Sequence, residues 1–109
     1  MEGRDMKVKD LPEETKLIQL AEEASELAQA ALKLIRARRG DTPVSEHQAV
    51  RNLFEEIADV NVCLVAIDPD PYTIEAIMRD KACRWERRIN GEMDSVCGTD
   101  RTDNLCGGD

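Results

Sequence analysis

The sequence predicts an all-α domain. Apolar side chains recur at three- and four-residue steps along three long segments, and no segment alternates apolar and polar residues as a half-buried strand would. Strong helix-forming residues fill these segments, while proline, glycine and aspartate separate them. We therefore expect three helices that pack as an antiparallel helical bundle.

The first helix is predicted to span about residues 12–39. Pro12 lies at its start, where a missing amide hydrogen costs nothing, and Gly40 lies just past its end, where helices commonly terminate. Residues 1–11 then form an N-terminal arm, and residues 12–91 form the helical domain. Residues 92–109 are acidic, rich in glycine and aperiodic, so we expect a disordered tail.

The two other helices also have recognisable starts. Ser45 and Gln48 form a capping box for the second helix, which extends to about residue 67. Asp70 and Pro71 are typical of an N-cap and a first helical residue, so the third helix should cover about residues 71–90.

Composition limits the core and the partners. Only 3% of the 109 residues are aromatic, so the core must be aliphatic and small. A small core with wide apolar helix faces predicts completion by oligomerisation, as a homodimer or a dimer of dimers. The net charge of −8 argues against a nucleic-acid partner, since backbone binders carry a basic face.

Nothing in the sequence predicts membrane association. No apolar run approaches the ~20 residues of a membrane span, and the charged N-terminus lacks the apolar segment of a signal peptide. We therefore expect a cytoplasmic protein. In a reducing compartment, Cys63 and Cys83 are expected to be small, partly buried side chains within helices.

Two acidic couplets carry the functional information. They read Glu22-Glu23-Ala24-Ser25-Glu26 in the first helix and Glu55-Glu56-Ile57-Ala58-Asp59 in the second. Residues three apart share a helix face, so each couplet presents two carboxylates on one face. If the helices pack antiparallel, four carboxylates converge: Glu23, Glu26, Glu56 and Asp59.

These four carboxylates could equally form part of a solvated helix face, where acidic pairs are common. Three observations favour a site. The couplets lie in the middle of their helices and adjoin the apolar stripe. No Lys or Arg lies three or four residues away from any of the four carboxylates to neutralise it. Clustered carboxylates then need an external cation, and oxygen ligands favour Mg²⁺, with Mn²⁺ as the alternative.

The pair of couplets resembles the signature of the all-α nucleoside triphosphate pyrophosphohydrolases, the MazG-like superfamily. The surrounding residues are similar too, and the resemblance covers about residues 14–90. The separation of the couplets, 29 residues between Glu26 and Glu56, is at the long end for this family.

The resemblance implies a helical bundle completed by dimerisation and a Mg²⁺-dependent hydrolysis of (deoxy)nucleoside triphosphates between the α- and β-phosphates. The products would be a nucleoside monophosphate and pyrophosphate. By the same resemblance, Glu23, Glu26, Glu56 and Asp59 would be the metal ligands, and Glu23 or Glu26 would orient the attacking water.

A phosphate substrate also requires cationic groups. Lys81, Arg84 and Arg88 share a face of the third helix and resemble the basic stretch that follows the motifs in the family. A solvated basic face is the alternative. Lys16, one turn or more before the first couplet, and Asn61, just after the second, are further substrate-binding candidates.

Two other functions were weighed. The chain could be a non-catalytic helical homodimer that acts as an interaction module, although such a protein has no reason to retain four repelling carboxylates. A carboxylate-bridged di-iron bundle would need a Glu-x-x-His motif. His47, the single histidine, is not spaced from any acid to provide it.

Overall fold

The computed structural model describes residues 5–91, and all of its regular structure is helical. A short 3₁₀ turn (Val8–Asp10) precedes the helices α1 (Glu13–Arg38), α2 (Glu46–Ile67) and α3 (Pro71–Ile89). No strand occurs within residues 5–91. The all-α prediction is confirmed, and the helix bounds agree with those predicted to within one or two residues. The acidic tail, 92–109, lies outside the described residues.

The chain divides into two compact units at Asp68 and Pro69. The first unit contains the 3₁₀ turn, α1 and α2, and the second contains α3. Asp68 is in the left-handed conformation, with φ of 56°, and its amide donates to the Leu64 carbonyl to end α2.

Helix α1 ends in a Schellman motif. The amide of Gly40 donates to the Ala37 carbonyl, and the amide of Asp41 donates to the Arg36 carbonyl at 2.9 Å. Gly40 has φ of 76°, a conformation that costs glycine little. The connector 39–45 therefore reverses the chain sharply enough to bring α2 back along α1.

Side-chain caps start the other two helices. The Ser45 hydroxyl accepts from the Gln48 amide at 3.1 Å, but the Gln48 side chain donates to Asn52 instead of returning to Ser45. Only half of the predicted capping box is therefore formed. The Asp70 carboxylate accepts from the Thr73 amide at 2.9 Å. Hydrogen bonds from the side chain and from the amide of Thr73 lower the pKa of Asp70.

Helices α1 and α2 pack along a seam with heptad spacing. The buried or half-buried positions of α1 alternate at steps of four and three: Lys16, Leu20, Glu23, Leu27, Ala30, Leu34 and Ala37. The facing positions of α2 include Ala49, Leu53, Glu56, Val60, Cys63 and Ile67. This spacing is typical of coiled-coil packing, in which apolar side chains interlock. Two glutamates thus occupy seam positions.

The buried core of the described residues is small. Its apolar members are Ala30, Leu34, Ala49, Cys63 and Ala66, of which only Leu34 is a large side chain. Meanwhile large apolar residues of both helices remain exposed, such as Phe54 at 59% and Val65 at 67%. The first unit alone therefore leaves much apolar surface in water.

The two helical cysteines differ. Cys63 is a free, buried thiol in the seam, as predicted. Cys83 of α3 is half-buried, as predicted, and it takes part in a disulfide bond that the sequence did not predict. None of the described helices carries an apolar stretch long enough to cross a bilayer.

The Ser45 cap gives a direct test of the α2 N-terminus. Replacing Ser45 with Ala removes the acceptor for the Gln48 amide and should lower the free energy of unfolding by about 1 kcal/mol. Urea denaturation measures this loss. Ser45→Asp, which keeps an acceptor at the N-cap, should retain stability; a loss equal to that of the alanine variant would contradict the cap.

Candidate metal centre

The two acidic couplets lie near each other on the α1–α2 seam, one on each helix. Glu23 occupies a position between Leu20 and Leu27 on α1, and Glu56 lies between Leu53 and Val60 on α2. In a helix pair of this kind such positions normally hold apolar residues. Carboxylates therefore occupy two seam positions of this chain.

Three of the four predicted ligands converge. Carboxylate oxygens of Glu23, Glu56 and Asp59 lie within 4.8 Å of one another. Glu23 and Glu56 are half-buried, whereas Asp59 is exposed, so the cluster lies at the edge of the seam and opens to solvent. Clusters of exposed acids occur without a metal, so the burial of individual oxygens matters for the interpretation.

Glu26, the fourth predicted ligand, is exposed and does not belong to this three-residue group. Its carboxylate nevertheless lies close enough to Glu23 and Glu56 to raise the pKa of both. The structure thus places Glu26 beside the cluster, one turn along α1 from Glu23.

Two carboxylate oxygens of the cluster have no partner among the described residues. Oε1 of Glu23 and Oε1 of Glu56 are both buried from water and accept no hydrogen bond. The other oxygen of Glu23 accepts from the Gln19 side chain at 2.9 Å. A buried, charged acceptor without a partner is costly, and a bound cation would offset that cost.

The pKa values of the cluster rise for the same physical reasons. Burial is the largest cause for Glu56, followed by the charges of Glu26, Asp59 and Glu23, and all of them raise its pKa. For Glu23 the hydrogen bond from Gln19 lowers the pKa, but burial and the charges of Glu26 and Asp59 outweigh it and raise the pKa. Without a cation, Glu23 and Glu56 therefore hold a proton more tightly than an ordinary glutamate does.

These features fit a hard divalent cation. Two or three carboxylates on adjacent helices are a common protein contribution to a Mg²⁺ site, which retains waters and substrate oxygens as its remaining ligands. The two orphaned oxygens, on Glu23 and Glu56, supply donors of that chemistry. Cys63 lies in the same seam, and burial, together with the charges of Glu23 and Asp59, raises the pKa of its thiol.

The predicted substrate-binding residues of the first unit fall in two places. Lys16 is half-buried on the α1 seam, seven residues before Glu23. Asn61 is exposed on α2, outside the seam. Their role in binding a substrate stays a prediction.

On α3, the predicted basic residues come together. Lys81, Arg84 and Arg88 line one groove with Trp85, as their spacing on a helix face indicates. Arg84 also pairs with Asp80 at 3.1 Å. Trp85 is largely exposed, so it is available for stacking rather than core packing.

A cavity that the sequence analysis missed adjoins the acidic cluster. It has a volume of about 470 Å³ between the C-terminal half of α1 and the N-terminal half of α2, which shows that the two helices run antiparallel. Its lining includes Glu26, Gln29, Lys33 and Arg36 from α1 and Asn52 and Glu56 from α2. The steps of three and four residues from Glu26 to Arg36 were the signal that could have identified this face.

No protein-family model matches the chain, and searches of curated proteins and of solved structures found no similar protein.

The raised pKa values predict an unusual pH dependence of stability. In the metal-free protein, Glu23 and Glu56 bind protons more tightly when folded than when unfolded. Stability should therefore fall as pH rises above about 4.5, the ordinary value for these groups, and reach its lower level once pH exceeds their raised pKa. Thermal melting in the presence of a chelator, between pH 4 and 8, measures this effect.

Two controls isolate the cluster. Glu56→Gln should flatten that part of the pH profile, because it removes one repelling charge, whereas Glu55→Gln should not, since Glu55 pairs with Arg51 away from the cluster. Saturating Mg²⁺ at neutral pH should raise the melting temperature of the wild-type protein. An unchanged melting temperature would count against a cation site.

Proposed function

We propose that this chain is a Mg²⁺-dependent nucleoside triphosphate pyrophosphohydrolase that acts between the α- and β-phosphates, with Mn²⁺ as an alternative metal. One observation carries the proposal. Carboxylates from the middle of two helices meet within 4.8 Å, and two of their oxygens are buried without a partner. The resemblance of both acidic couplets to the MazG-like signature supports the reaction type.

In this proposal Glu23, Glu56 and Asp59 hold the metal from the seam, and Glu26 lies beside them at the open edge. The metal would neutralise charge on the phosphate oxygens and lower the pKa of a bound water. The helices contribute rigid placement, since Glu23 and Glu56 are fixed by the packing of their own seam neighbours.

The reaction requires an oriented water and a proton acceptor. The water oxygen bonds to the α-phosphorus, the bond from that phosphorus to the α–β bridging oxygen breaks, and pyrophosphate leaves with the bridging oxygen. A carboxylate takes the proton of the water. Glu23 and Glu26 are the candidates from the sequence.

The geometry favours Glu26 for this proton transfer. One oxygen of Glu23 already accepts from Gln19, and its carboxylate belongs to the three-carboxylate group. Glu26 is exposed, lies outside that group and is close to it, so its carboxylate can reach a water at the open edge. Glu23 would then serve as a metal ligand.

The alternative is a non-catalytic homodimer that binds other proteins. The exposed apolar faces of α1 and α2 are compatible with either function. The buried, unpartnered carboxylate oxygens favour the enzyme, because an interaction module gains nothing from keeping them in its seam.

We also propose a homodimer, or a dimer of dimers. One residue after each of the first six α1 seam positions lies a second apolar stripe with heptad spacing, exposed in this chain: Leu17, Ala21, Ala24, Ala28, Ala31 and Ile35. Phe54 and Val65 are exposed in the same way on α2. A second copy would cover these stripes and form a four-helix bundle.

Activity is tested by pyrophosphate release from a panel of canonical, deoxy and damaged nucleoside triphosphates. Glu56→Gln should abolish release, because it removes a metal ligand. Glu26→Gln should reduce kcat by about 10²–10⁴-fold while the metal still binds.

Glu55→Gln is the matched control for these variants, since it changes the same charge on the neighbouring residue and affects only the pair with Arg51. It should retain wild-type activity. Full activity in Glu56→Gln, or no release from any triphosphate by the wild-type protein, would refute the proposal.

Assembly is tested by sedimentation at micromolar concentration. The wild-type protein should be larger than its 12.2 kDa monomer. Val65→Lys should shift it towards the monomer, because Val65 is 67% exposed in one chain and would be covered in a dimer. Glu55→Gln changes the net charge equally on the polar side of α2 and should not. A monomeric wild-type protein would contradict the proposal.

A further inference from the structure

The cavity beside the acidic cluster carries charges of both signs at opposite ends. Glu26 and Glu56 line the end nearest the cluster, and Lys33 and Arg36 line the end towards the connector. Ala30 and Ala49, both buried, leave the space between the helices empty because their side chains are small. The volume of about 470 Å³ lies within the range of small-molecule sites.

We propose that this cavity binds the polyphosphate of the substrate, with Lys33 and Arg36 holding the β- and γ-phosphates that leave as pyrophosphate. This assignment rests on the proposed function, which places the α-phosphate at the carboxylates. An anion fits the arrangement because one end of the cavity would bind it through a cation and the other end through ammonium and guanidinium groups.

Helix geometry agrees with the assignment. Lys33 follows Glu26 by seven residues, which corresponds to about 10 Å along the helix axis. Side chains on a helix lean towards its N-terminus, which favours extension of Lys33 and Arg36 towards Glu26.

The amides of Gln29 and Asn52 lie between the two ends. Each can donate two hydrogen bonds to phosphate oxygens. A neutral ligand would need neither the metal end nor the cationic end, so the combination favours a polyphosphate over a nucleoside in this cavity.

The test is calorimetric titration of inorganic pyrophosphate in the presence of Mg²⁺. Wild-type protein should bind it, and Lys33→Gln and Arg36→Gln should each weaken binding by about tenfold or more. Arg39→Gln is the matched control, because Arg39 ends the same helix and does not line the cavity. It should bind as the wild type does. Unfolding curves of all three variants confirm that they fold.

Several outcomes overturn the inference. The inference is wrong if the wild-type protein does not bind pyrophosphate. It is also wrong if Lys33→Gln and Arg36→Gln bind pyrophosphate with the same affinity as the wild type. If the Lys33 and Arg36 variants lose binding of a nucleoside monophosphate but still bind pyrophosphate, the cavity holds the nucleoside instead.

Steady-state hydrolysis separates this inference from the proposed function. If Lys33→Gln and Arg36→Gln hydrolyse the substrate with unchanged KM and unchanged inhibition by pyrophosphate, the proposed enzymatic activity stands and the assignment of the cavity to the polyphosphate is refuted. Pyrophosphate binding that depends on Lys33 and Arg36, without hydrolysis of any triphosphate, would support the cavity and refute the enzyme.

Discussion

Repulsion between carboxylates inside a helix–helix seam is the constraint on which the rest of this structure depends. Glu23 and Glu56 interrupt the apolar packing of α1 and α2 at the point where the helices face each other. Each leaves one oxygen buried and unpartnered. Buried carboxylate oxygens without partners lower the stability of the fold unless a cation offsets their charge. Folding of the seam is therefore linked to cation binding.

The packing around the cluster is correspondingly modest. Leu34 is the only large apolar side chain among the buried residues that the structure describes, and the others are alanines and a cysteine. Small residues bring the helices close enough for their carboxylates to meet, and they also leave room for a cavity. Because little apolar area is buried within one chain, both the cation and a second subunit would contribute to stability.

Much of this architecture could be predicted from the sequence, because it depends on local chemistry. Heptad and helical spacing located α1, α2 and α3, while Gly40, Ser45 and Asp70 marked their ends. The couplets indicated Glu23, Glu56 and Asp59, which do converge. The placement of side chains in three dimensions was harder to predict. It depends on how far apart the helix axes lie, and this distance determines both the exposure of Glu26 and the cavity formed by residues of the two helices. The disulfide at Cys83 was missed because helical spacing contains no information on pairing.

The alanines of the seam have a consequence for evolution and for protein engineering. A larger apolar residue in place of Ala30 or Ala49 would extend into the cavity, bury additional apolar surface and improve the packing of α1 on α2. Selection for thermal stability alone would therefore favour closing the space next to the carboxylates. Alanine at both positions leaves that space open, so in this chain the groove beside the carboxylates exists at the expense of a tighter core.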